Sequence, residues 1–167
     1  ANVSELSLIK KKQTIILQKN SDNIWKLFHP LEATVDNPEA EFFLTEIESL
    51  KKTRVVESDP KNLSQYGLDI PAFKIHIKFK DGKEEILLLG NDSPMGGKIY
   101  LKLKSKPSVL LASTSKTNFD KSVYYFRDKT IFNFSSGSII KIQIKRKEHP
   151  LDLVREKEEW KVSRKNR

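Results

Sequence analysis

The stretch FKIHIKFKDGKEEILLL, residues 73–89, decides the fold. In its first half apolar and polar side chains alternate, so one face of a strand carries the apolar residues and the other carries lysine and histidine. Asp81-Gly82 is a strong hairpin signal, because a two-residue turn needs positive φ at its centre. Residues 84–89 then return as a second strand. The stretch therefore predicts an antiparallel hairpin with one buried face.

Further strands and two helices are predicted around this hairpin. Strand patterns occupy residues 6–18, 25–28, 53–57, 98–104 and 109–111. A helix is predicted over residues 38–52, because Asp36 can cap it, Pro38 suits its first turn and apolar residues recur at helical spacing. A second helix is predicted over residues 113–126. The predicted fold is α+β, with antiparallel hairpins forming a sheet packed against two helices.

The opening of the chain recurs near its end. Two apolar-alternating runs and a charged turn precede Trp25-Lys26-Leu27, and the same order returns over residues 140–162, which end in Trp160-Lys161-Val162. The chain contains no other tryptophan. Such self-similarity indicates a repeated supersecondary unit. We predict a complete unit over residues 1–136 and the first strands of a truncated second unit over residues 137–167, with Trp160 more exposed than Trp25.

Composition is that of one ordinary domain with excess positive charge. The 167 residues are 37% hydrophobic and 32% charged, with a net charge of +9. Residues 31–71 are the exception, because nine acidic and four basic side chains give them a net charge of −5. Cysteine is absent, so disulfides, thiolate nucleophiles and cysteine metal sites are excluded. No apolar run is long enough to cross a bilayer, and because the sequence begins at Ala1 without an initiator methionine, we expect an anchor or signal upstream.

A series of motifs occurs in a specific order along the chain. It consists of Glu57-Ser58-Asp59-Pro60, Tyr66-Gly67-Leu68-Asp69-Ile70-Pro71, Lys80-Asp81-Gly82-Lys83, residues 89–97 and Phe126-Arg127-Asp128-Lys129. The series resembles a bacterial domain family of unknown function, found in envelope proteins often encoded beside gliding-motility-type ABC transporter components. The resemblance implies tandem copies behind one N-terminal membrane helix, on the extracytoplasmic face of a bacterial membrane. It implies no catalytic residue and no cofactor.

Two surfaces are candidates for binding. One is a loop that would offer backbone N–H groups and an exposed methionine to a protein partner. Its residues are Asn91, Asp92, Ser93, Pro94, Met95, Gly96 and Gly97. The other is a basic strand face, made of Lys74, Lys78, Lys80, Lys102 and Lys104. The competing interpretations are a plain strand connection and a solvated lysine face that prevents edge pairing.

No residue constellation specifies a reaction. His29, His76 and His149 are far apart and lack the spacing of metal ligands or of an acid–base pair, so no metal site is predicted. We therefore expect a non-enzymatic, extracytoplasmic interaction module of a membrane-anchored protein, accessory to an ABC-type transport or motility assembly.

The expected partners are envelope proteins, ABC transporter components among them, bound at sheet edges or at the loop. An anionic envelope polymer on the lysine face is a further possibility. Two alternatives come from other classes of protein: a basic nucleic-acid-binding domain and an envelope hydrolase.

Overall fold

The chain forms two compact units, Ala1–Lys129 and Thr130–Arg167, in the computed structural model. The structure describes residues 2–94, 96–147 and 150–163. The strands of the first unit are β1 (Val3–Lys10), β2 (Gln13–Lys19), β3 (Trp25–His29), β4 (Ala33–Thr34), β5 (Lys52–Glu57), β6 (Phe73–Phe79), β7 (Glu84–Asp92), β8 (Ile99–Leu103) and β9 (Val109–Ala112). Its helices are α1 (Asn37–Glu48) and α2 (Val123–Phe126). The second unit contains β10 (Lys141–Ile144), β11 (Leu151–Glu156) and β12 (Glu159–Ser163).

One antiparallel sheet of nine strands organises the first unit. Its order is β4-β3-β2-β1-β6-β7-β8-β9-β5. The predicted hairpin lies at its centre as β6 and β7, with Ile75 opposite Leu87, and Gly82 adopts a φ of 81° in the connecting turn. On its other side β6 pairs with β1, where Ser7 lies opposite His76. The central hairpin therefore joins the N-terminal meander to the later strands.

The core of the first unit lies between one face of the sheet and α1. Alternate strand residues face it and are buried, as their period-2 pattern predicts. From α1 come Ala40, Phe43 and Leu44, all buried. Phe119 and Phe126 pack edge-on against Phe43, with ring centroids 6.3 and 5.5 Å away. Each fully buried phenylalanine contributes about 1.5–3 kcal/mol of transfer free energy.

The predicted α+β fold, a sheet packed against two helices, is wrong. The described residues are mostly β, with twelve strands in a nine-stranded and a three-stranded sheet. The first predicted helix is present, and its Asp36 cap accepts a hydrogen bond from the Glu39 N–H at 3.4 Å. It ends at Glu48 rather than at residue 52, because the Leu50 N–H donates to the Ile47 carbonyl three residues back and β5 begins at Lys52.

The second predicted helix, residues 113–126, breaks into two short turns. One is a 3-10 turn at Lys116–Asn118 and the other is the four-residue α2. Ser115 and Ser122 cause the break, because each side chain accepts a backbone hydrogen bond and starts a separate turn. Ser122 is itself extended, with φ −96° and ψ 169°, so a continuous helix cannot pass through it.

The loop 58–72 lies on the opposite face of the sheet. A 3-10 turn at Ser64–Tyr66 ends at Gly67, which has a φ of 64°, and Leu68 behind it is buried. The Tyr66 carbonyl oxygen comes so close to Gly90 that a Cβ there would collide with it. The Tyr66 ring also packs on Tyr100, with centroids 5.0 Å apart. The Tyr66-Gly67-Leu68 and 89–97 motifs therefore meet in one packing contact.

The second unit contains an antiparallel meander of three strands, in the order β10-β11-β12. Its pairing reproduces that of the N-terminal meander, β1 to β3. The row Leu6–Leu17–Leu27 crosses the first meander, and the row Ile142–Leu153–Val162 crosses the second. Both meanders therefore present an apolar row on one face. The predicted repeat boundary at residue 136 concerns similarity within the chain. The division at Lys129 concerns spatial compactness and does not test that boundary.

The two tryptophans occupy equivalent places in these meanders. Trp25 lies opposite Lys19 and Trp160 lies opposite Arg155, in each case on the same face as the apolar row and two residues along the strands from it. Trp25 is fully buried, whereas Trp160 is 40% exposed. This difference confirms the prediction that Trp160 is the more exposed of the two.

Candidate interaction surfaces

The first part of the predicted contact loop belongs to the sheet. Asn91 and Asp92 are the last residues of β7. The Asn91 side chain lies against Gly67, so it supports the loop on the opposite face. The Asp92 carboxylate is 3.3 Å from the Lys116 ammonium. Both side chains therefore have local structural contacts.

The remainder of the loop is a short turn. Ser93 is buried, and its backbone N–H donates to the Lys98 carbonyl at 2.8 Å. Met95, the predicted contact residue, lies outside the described residues. The exposed residues of the turn are Pro94, Gly96 and Gly97. Among the described residues of this candidate surface, Ser93 is buried and the others are exposed.

Carboxylates interrupt the predicted basic face. The Lys78 ammonium lies 3.2 Å from Glu5 and 3.9 Å from Glu84. Glu84 also contacts His76, with 2.9 Å between its carboxylate oxygen and the imidazole Nε2. The strand face around Lys78 is therefore a mixed array of charges rather than a positive one.

Two more lysines of this face bind neutral oxygens. The Lys80 ammonium donates to the Asn23 side-chain oxygen at 3.0 Å. The Lys102 ammonium donates to the carbonyls of Leu103 and Lys106. These contacts fix the lysines in place but leave their charges uncompensated.

The side-chain ammonium groups of Lys74 and Lys104 have neither hydrogen bonds nor ion pairs within the described part of the chain. They flank a shallow cleft of about 170 Å³ on the outer face of the sheet. The apolar lining of the cleft consists of Leu68, Pro71, Ile86 and Leu88, and Asp69 also contributes. Of the five predicted lysines, the structure therefore brings two to the same cleft.

His29 and His76 lie on different strands. His29 is exposed at the end of β3. His76, on β6, contacts Glu84 on β7. His149 lies outside the described residues. Over residues 2–94, 96–147 and 150–163, no three His, Cys, Asp or Glu side chains are arranged to hold a metal ion.

A buried tryptophan connects the N-terminal meander to α1. The Trp25 indole N–H donates to Glu41 Oε1 at 2.7 Å, and the Lys19 ammonium lies 2.7 Å from the same oxygen. The Lys19 ammonium is also 4.7 Å from the indole centroid. Partial burial alone raises the pKa of Glu41, but the hydrogen bonds from Lys19 and Trp25 outweigh it and bring that pKa below its ordinary value. Glu41 is therefore an ionised acceptor at neutral pH.

An apolar groove of about 320 Å³ lies beside the C-terminal end of α1. Its aliphatic lining is Ile47, Leu50, Ile77, Leu87, Leu101, Leu103 and Leu110. Its charged residues are Lys52 and Glu85. Burial alone raises the pKa of Glu85. Hydrogen bonds from the Ser105 hydroxyl and from the Ile86 and Ser105 N–H groups outweigh this effect, so the pKa lies below its ordinary value. Glu85 is thus a fixed anion in the groove.

The second unit exposes large apolar side chains. In the segment before its strands these are Ile131, Phe132, Phe134 and Ile140. The Phe132 and Phe134 rings lie 5.6 Å apart, so they form a small aromatic pair in solvent. On the meander, Val162 is 59% exposed, whereas Leu27 at the equivalent place is 1% exposed. Exposed apolar groups that are grouped together mark interaction surfaces more often than single ones do.

Comparison of the sequence with family models gives one match. A model described as a domain of unknown function (DUF4340) matches residues 25–167. The chain belongs to the DUF4340 family. Neither the curated proteins nor the solved structures include a match to it.

The DUF4340 match begins at Trp25, the first residue of β3, and includes the whole second unit. It therefore covers Trp25 and Glu41, the loop 91–97 and the exposed apolar segment of the second unit. Lys19 and the first two strands precede it. The match confirms the resemblance to a family of unknown function; the genomic neighbours and the membrane anchor are not part of it.

No α-helix in the described part of this DUF4340 chain is both long and apolar enough to span a bilayer.

Sequence reasoning missed two features of the DUF4340 chain, the apolar groove and the exposed segment 131–140. The groove depends on the residue at which α1 ends, and hydrophobic periodicity does not predict that residue. No helix or strand is predicted over residues 131–139 of the exposed segment. Its signal was Ile131-Phe132-Asn133-Phe134, an apolar run with no patterned element next to it that could bury it.

Proposed function

We propose that this DUF4340 chain is a non-enzymatic interaction module that binds a protein partner through the apolar side chains of its second unit. The observation that carries the proposal is the exposure of Trp160 and Val162, whose equivalents Trp25 and Leu27 are buried. Tryptophan and other large side chains with exposed apolar area are characteristic anchors of protein interfaces.

Two carboxylates of the first unit, Glu41 and Glu85, have the character of structural acceptors rather than of general acids. Glu41 and Glu85 both have pKa values below the ordinary one, and each accepts hydrogen bonds from neighbouring groups. A general acid near neutrality needs a raised carboxyl pKa instead. These two groups therefore act as fixed anions within the fold.

We also propose that the second meander is a copy of the first. Support comes from the cross-strand rows, which pair equivalent side chains, and from the pairs Trp25–Lys19 and Trp160–Arg155, which lie beside those rows at equivalent places. A copied meander would inherit the need for a cover over its apolar row.

The proposed setting is the extracytoplasmic face of a bacterial membrane, with the module anchored and acting beside ABC transporter components. The support is the resemblance carried by the motifs at residues 57–71, 80–83 and 89–97. To test it, the full gene product is tagged after Ser163 in the bacterium that makes it. Protease added to spheroplasts is expected to remove the tag without cell lysis, and a tag that is protected until lysis would contradict this setting.

Photo-crosslinking tests the interaction function. A photoreactive phenylalanine derivative replaces Val162 or Phe132 in the producing cells, and the control replaces Lys11, an exposed turn residue of the first unit. We expect adducts of discrete mass at the two second-unit positions and none at Lys11. If Val162 and Phe132 give no adduct, the proposal is wrong.

Nucleic-acid binding is the second candidate, because Lys74 and Lys104 have no acidic partner in the described chain. Contacts to phosphate release counterions, so retention of labelled single-stranded DNA would fall steeply with salt. We expect no retention at low salt, since Lys78 is paired with carboxylates and Tyr100 is packed under Tyr66. Retention that is lost when Lys74 and Lys104 are both replaced by glutamine would favour this second function.

A further inference from the structure

We propose that the apolar groove beside the C-terminal end of α1 binds a fatty carboxylate with a single aliphatic chain, and that the Lys52 ammonium binds its carboxylate head. The groove holds about 320 Å³, which lies within the roughly 300–1,000 Å³ of small-molecule sites. All of its lining residues belong to the first unit. The inference is therefore separate from the proposed partner contact of the second unit.

The groove forms where α1 stops and the sheet continues. The Leu50 N–H donates to the Ile47 carbonyl, and the chain then enters β5 at the edge of the sheet. Ile75 is fully buried, whereas Ile77, two residues further along the same face of β6, is only half-buried. Leu103 on β8 is half-buried as well. The floor of the groove is therefore inner sheet surface that is less well covered than the core.

The lining of the groove is aliphatic apart from two charged residues. Its floor crosses the four neighbouring strands β6 to β9 in the rows Leu101–Leu110, Leu87–Leu103 and Ile77–Glu85. Within the described chain, no aromatic and no neutral polar side chain lines it. A ligand with hydroxyl or amide groups along its body would leave them unpaired here, which costs free energy. The lining therefore selects an unsubstituted aliphatic chain.

The two charged residues lie at opposite ends of the groove. Lys52 lies opposite Ala112, in the row next to Leu101–Leu110. Glu85 lies opposite Ile77, in the last row of the floor. An aliphatic chain along the groove therefore has one end near a cation and the other near a carboxylate.

Glu85 already has its hydrogen-bond donors. One of its oxygens accepts from the Ile86 N–H at 2.9 Å and from the Ser105 N–H at 3.4 Å. The other oxygen accepts from the Ser105 hydroxyl. Because these contacts stabilise the carboxylate, Glu85 has little need of a cationic ligand. It is therefore a poor site for the head of an amphiphile.

Lys52 supplies the free charge. Its side-chain ammonium has no hydrogen bond or ion pair within the described part of the chain, and the residue is exposed. A lysine stem can lie along apolar surface while its ammonium stays in water, where it can meet a charged head. Lys51, also exposed, adds a second positive charge beside it. The head of the ligand is therefore an anion.

Dodecanoate is the probe, added below its micelle concentration to the full chain with labelled isoleucine, leucine and valine methyl groups. We expect saturable shifts of the Ile77 and Leu103 methyl resonances in nuclear magnetic resonance spectra. The Leu88 methyls, on the other face of the sheet, and the Val162 methyls are expected to stay in place. Single substitutions assign the four residues.

Filling the groove provides the matched variants. Leu103→Trp is expected to weaken binding at least about tenfold, because the larger side chain occupies the space of the ligand. Leu88→Trp makes the same change on the opposite face and is expected to have less than about a twofold effect. The methyl resonances of buried Ile15 and Leu17 report whether each variant folds. Leu110→Phe, a smaller filling change, is measured in the same way and keeps the test decisive if Leu103→Trp does not fold.

Chain length and head charge test the two halves of the ligand separately. Octanoate is expected to bind at least about tenfold more weakly than dodecanoate, because each buried methylene contributes about fourfold to affinity. Dodecyltrimethylammonium is expected to bind at least about threefold more weakly than dodecanoate. Lys52→Glu is expected to reverse that preference, whereas Lys11→Glu, at an exposed turn, is expected to preserve it.

Four results would overturn the inference. Dodecanoate could leave the groove methyls unshifted, the Leu103→Trp and Leu88→Trp variants could bind alike, or the Lys52→Glu and Lys11→Glu variants could show the same head preference. In the fourth, vesicles of dioleoylphosphatidylglycerol shift the groove methyls while dodecanoate does not, which would assign the groove to a membrane surface. Crosslinking at Val162 is independent of all four, so the proposed interaction function can stand or fall without this site.

Discussion

At the scale of the residue, Glu41 shows how a single polar group fixes the position of a helix. Its carboxylate accepts hydrogen bonds from the indole of Trp25 and from the ammonium of Lys19, one on each of two neighbouring strands. An apolar helix face alone permits sliding along a sheet, because dispersion and hydrophobic contacts have little directionality. The two directed bonds therefore set the register of α1 on β2 and β3.

We predict that Glu41→Ala lowers the free energy of unfolding by about 1–3 kcal/mol, because the indole N–H of a buried tryptophan is left without an acceptor. Glu41→Gln keeps an acceptor and is expected to cost less. Urea denaturation measures both, with Glu48→Ala, an exposed change on the same helix, as the control. Equal losses for Glu41→Ala and Glu48→Ala would contradict the role assigned to the carboxylate.

The same group gives a pH dependence with a definite sign. The pKa of Glu41 in the folded chain lies below its ordinary value of 4.5. Its contribution to stability is therefore complete above pH 4.5 and disappears as the pH falls through the lowered value. We expect the stability difference between the original chain and Glu41→Gln to shrink as the pH drops below 4.5. A difference that grows with acidification would contradict the assignment.

Gly90 is predicted to tolerate no side chain. A Cβ there would collide with the Tyr66 carbonyl oxygen and approach Leu68 to 3.0 Å, so loop 58–72 would have to move. Gly90→Ala is expected to destabilise the chain by about 1–3 kcal/mol. Gly137→Ala is the matched control, since the nearest atom to its added Cβ is 3.6 Å away. Thermal unfolding that does not distinguish the two variants would count against the packing contact described here.

At the scale of the element, the two meanders differ in what covers them rather than in how they pair. The rows are equivalent residue by residue, yet one is buried beneath α1 and the other is partly open. Strand pairing alone therefore does not decide how much an apolar row contributes to stability. The contribution depends on the helix that removes the row from water.

Equivalent truncations in the two rows are predicted to have different effects. Leu27→Ala leaves a cavity in a packed core and is expected to cost about 2–5 kcal/mol. Val162→Ala removes a largely exposed side chain and is expected to stay within about 0.5 kcal/mol. Chemical denaturation of both variants makes the comparison. A loss at Val162 as large as that at Leu27 would show that a cover is already present over the second meander.

Sequence alone was sufficient where a pattern was local. The alternation of Phe73, Ile75 and Ile77 predicted the central hairpin, and Asp36 with Pro38 predicted the start of α1. It was insufficient where local competition decided the outcome, as at Ser115 and Ser122, whose side chains cap separate turns inside a stretch with helical spacing. The predicted contact loop begins only at Ser93, because Asn91 and Asp92 are the last residues of β7. The carboxylates of Glu5 and Glu84 that pair with Lys78 depend on strand order, which the spacing of residues does not encode.

At the scale of the whole molecule, the chain divides at Lys129 into units with separate sheets. The buried apolar cluster of the first unit draws all its members from residues 3–126. The first unit contains its own buried core, and its own helix and loop cover the sheet. These are the requirements for independent folding.

We predict that a chain ending at Lys129 folds on its own. Far-ultraviolet circular dichroism is expected to show a β-rich spectrum, and thermal unfolding is expected to be cooperative. Its tryptophan emission should come entirely from buried Trp25 and should lack the red-shifted part contributed by Trp160. A non-cooperative transition would mean that the later residues are needed to complete the first fold.

The pairing of β1 with β6 has a consequence for biogenesis. In this pairing Ser7 lies opposite His76. Because the two residues are far apart in sequence, β1 leaves the ribosome well before β6 has been synthesised. Contacts between residues so distant in sequence require a large loop to close, which slows the approach to the native state. During that interval the nascent hairpin of β1 and β2 has a free backbone edge open to adventitious pairing. A chaperone that shields this edge until the central hairpin emerges would raise the yield of folded chain, most clearly when translation is slow.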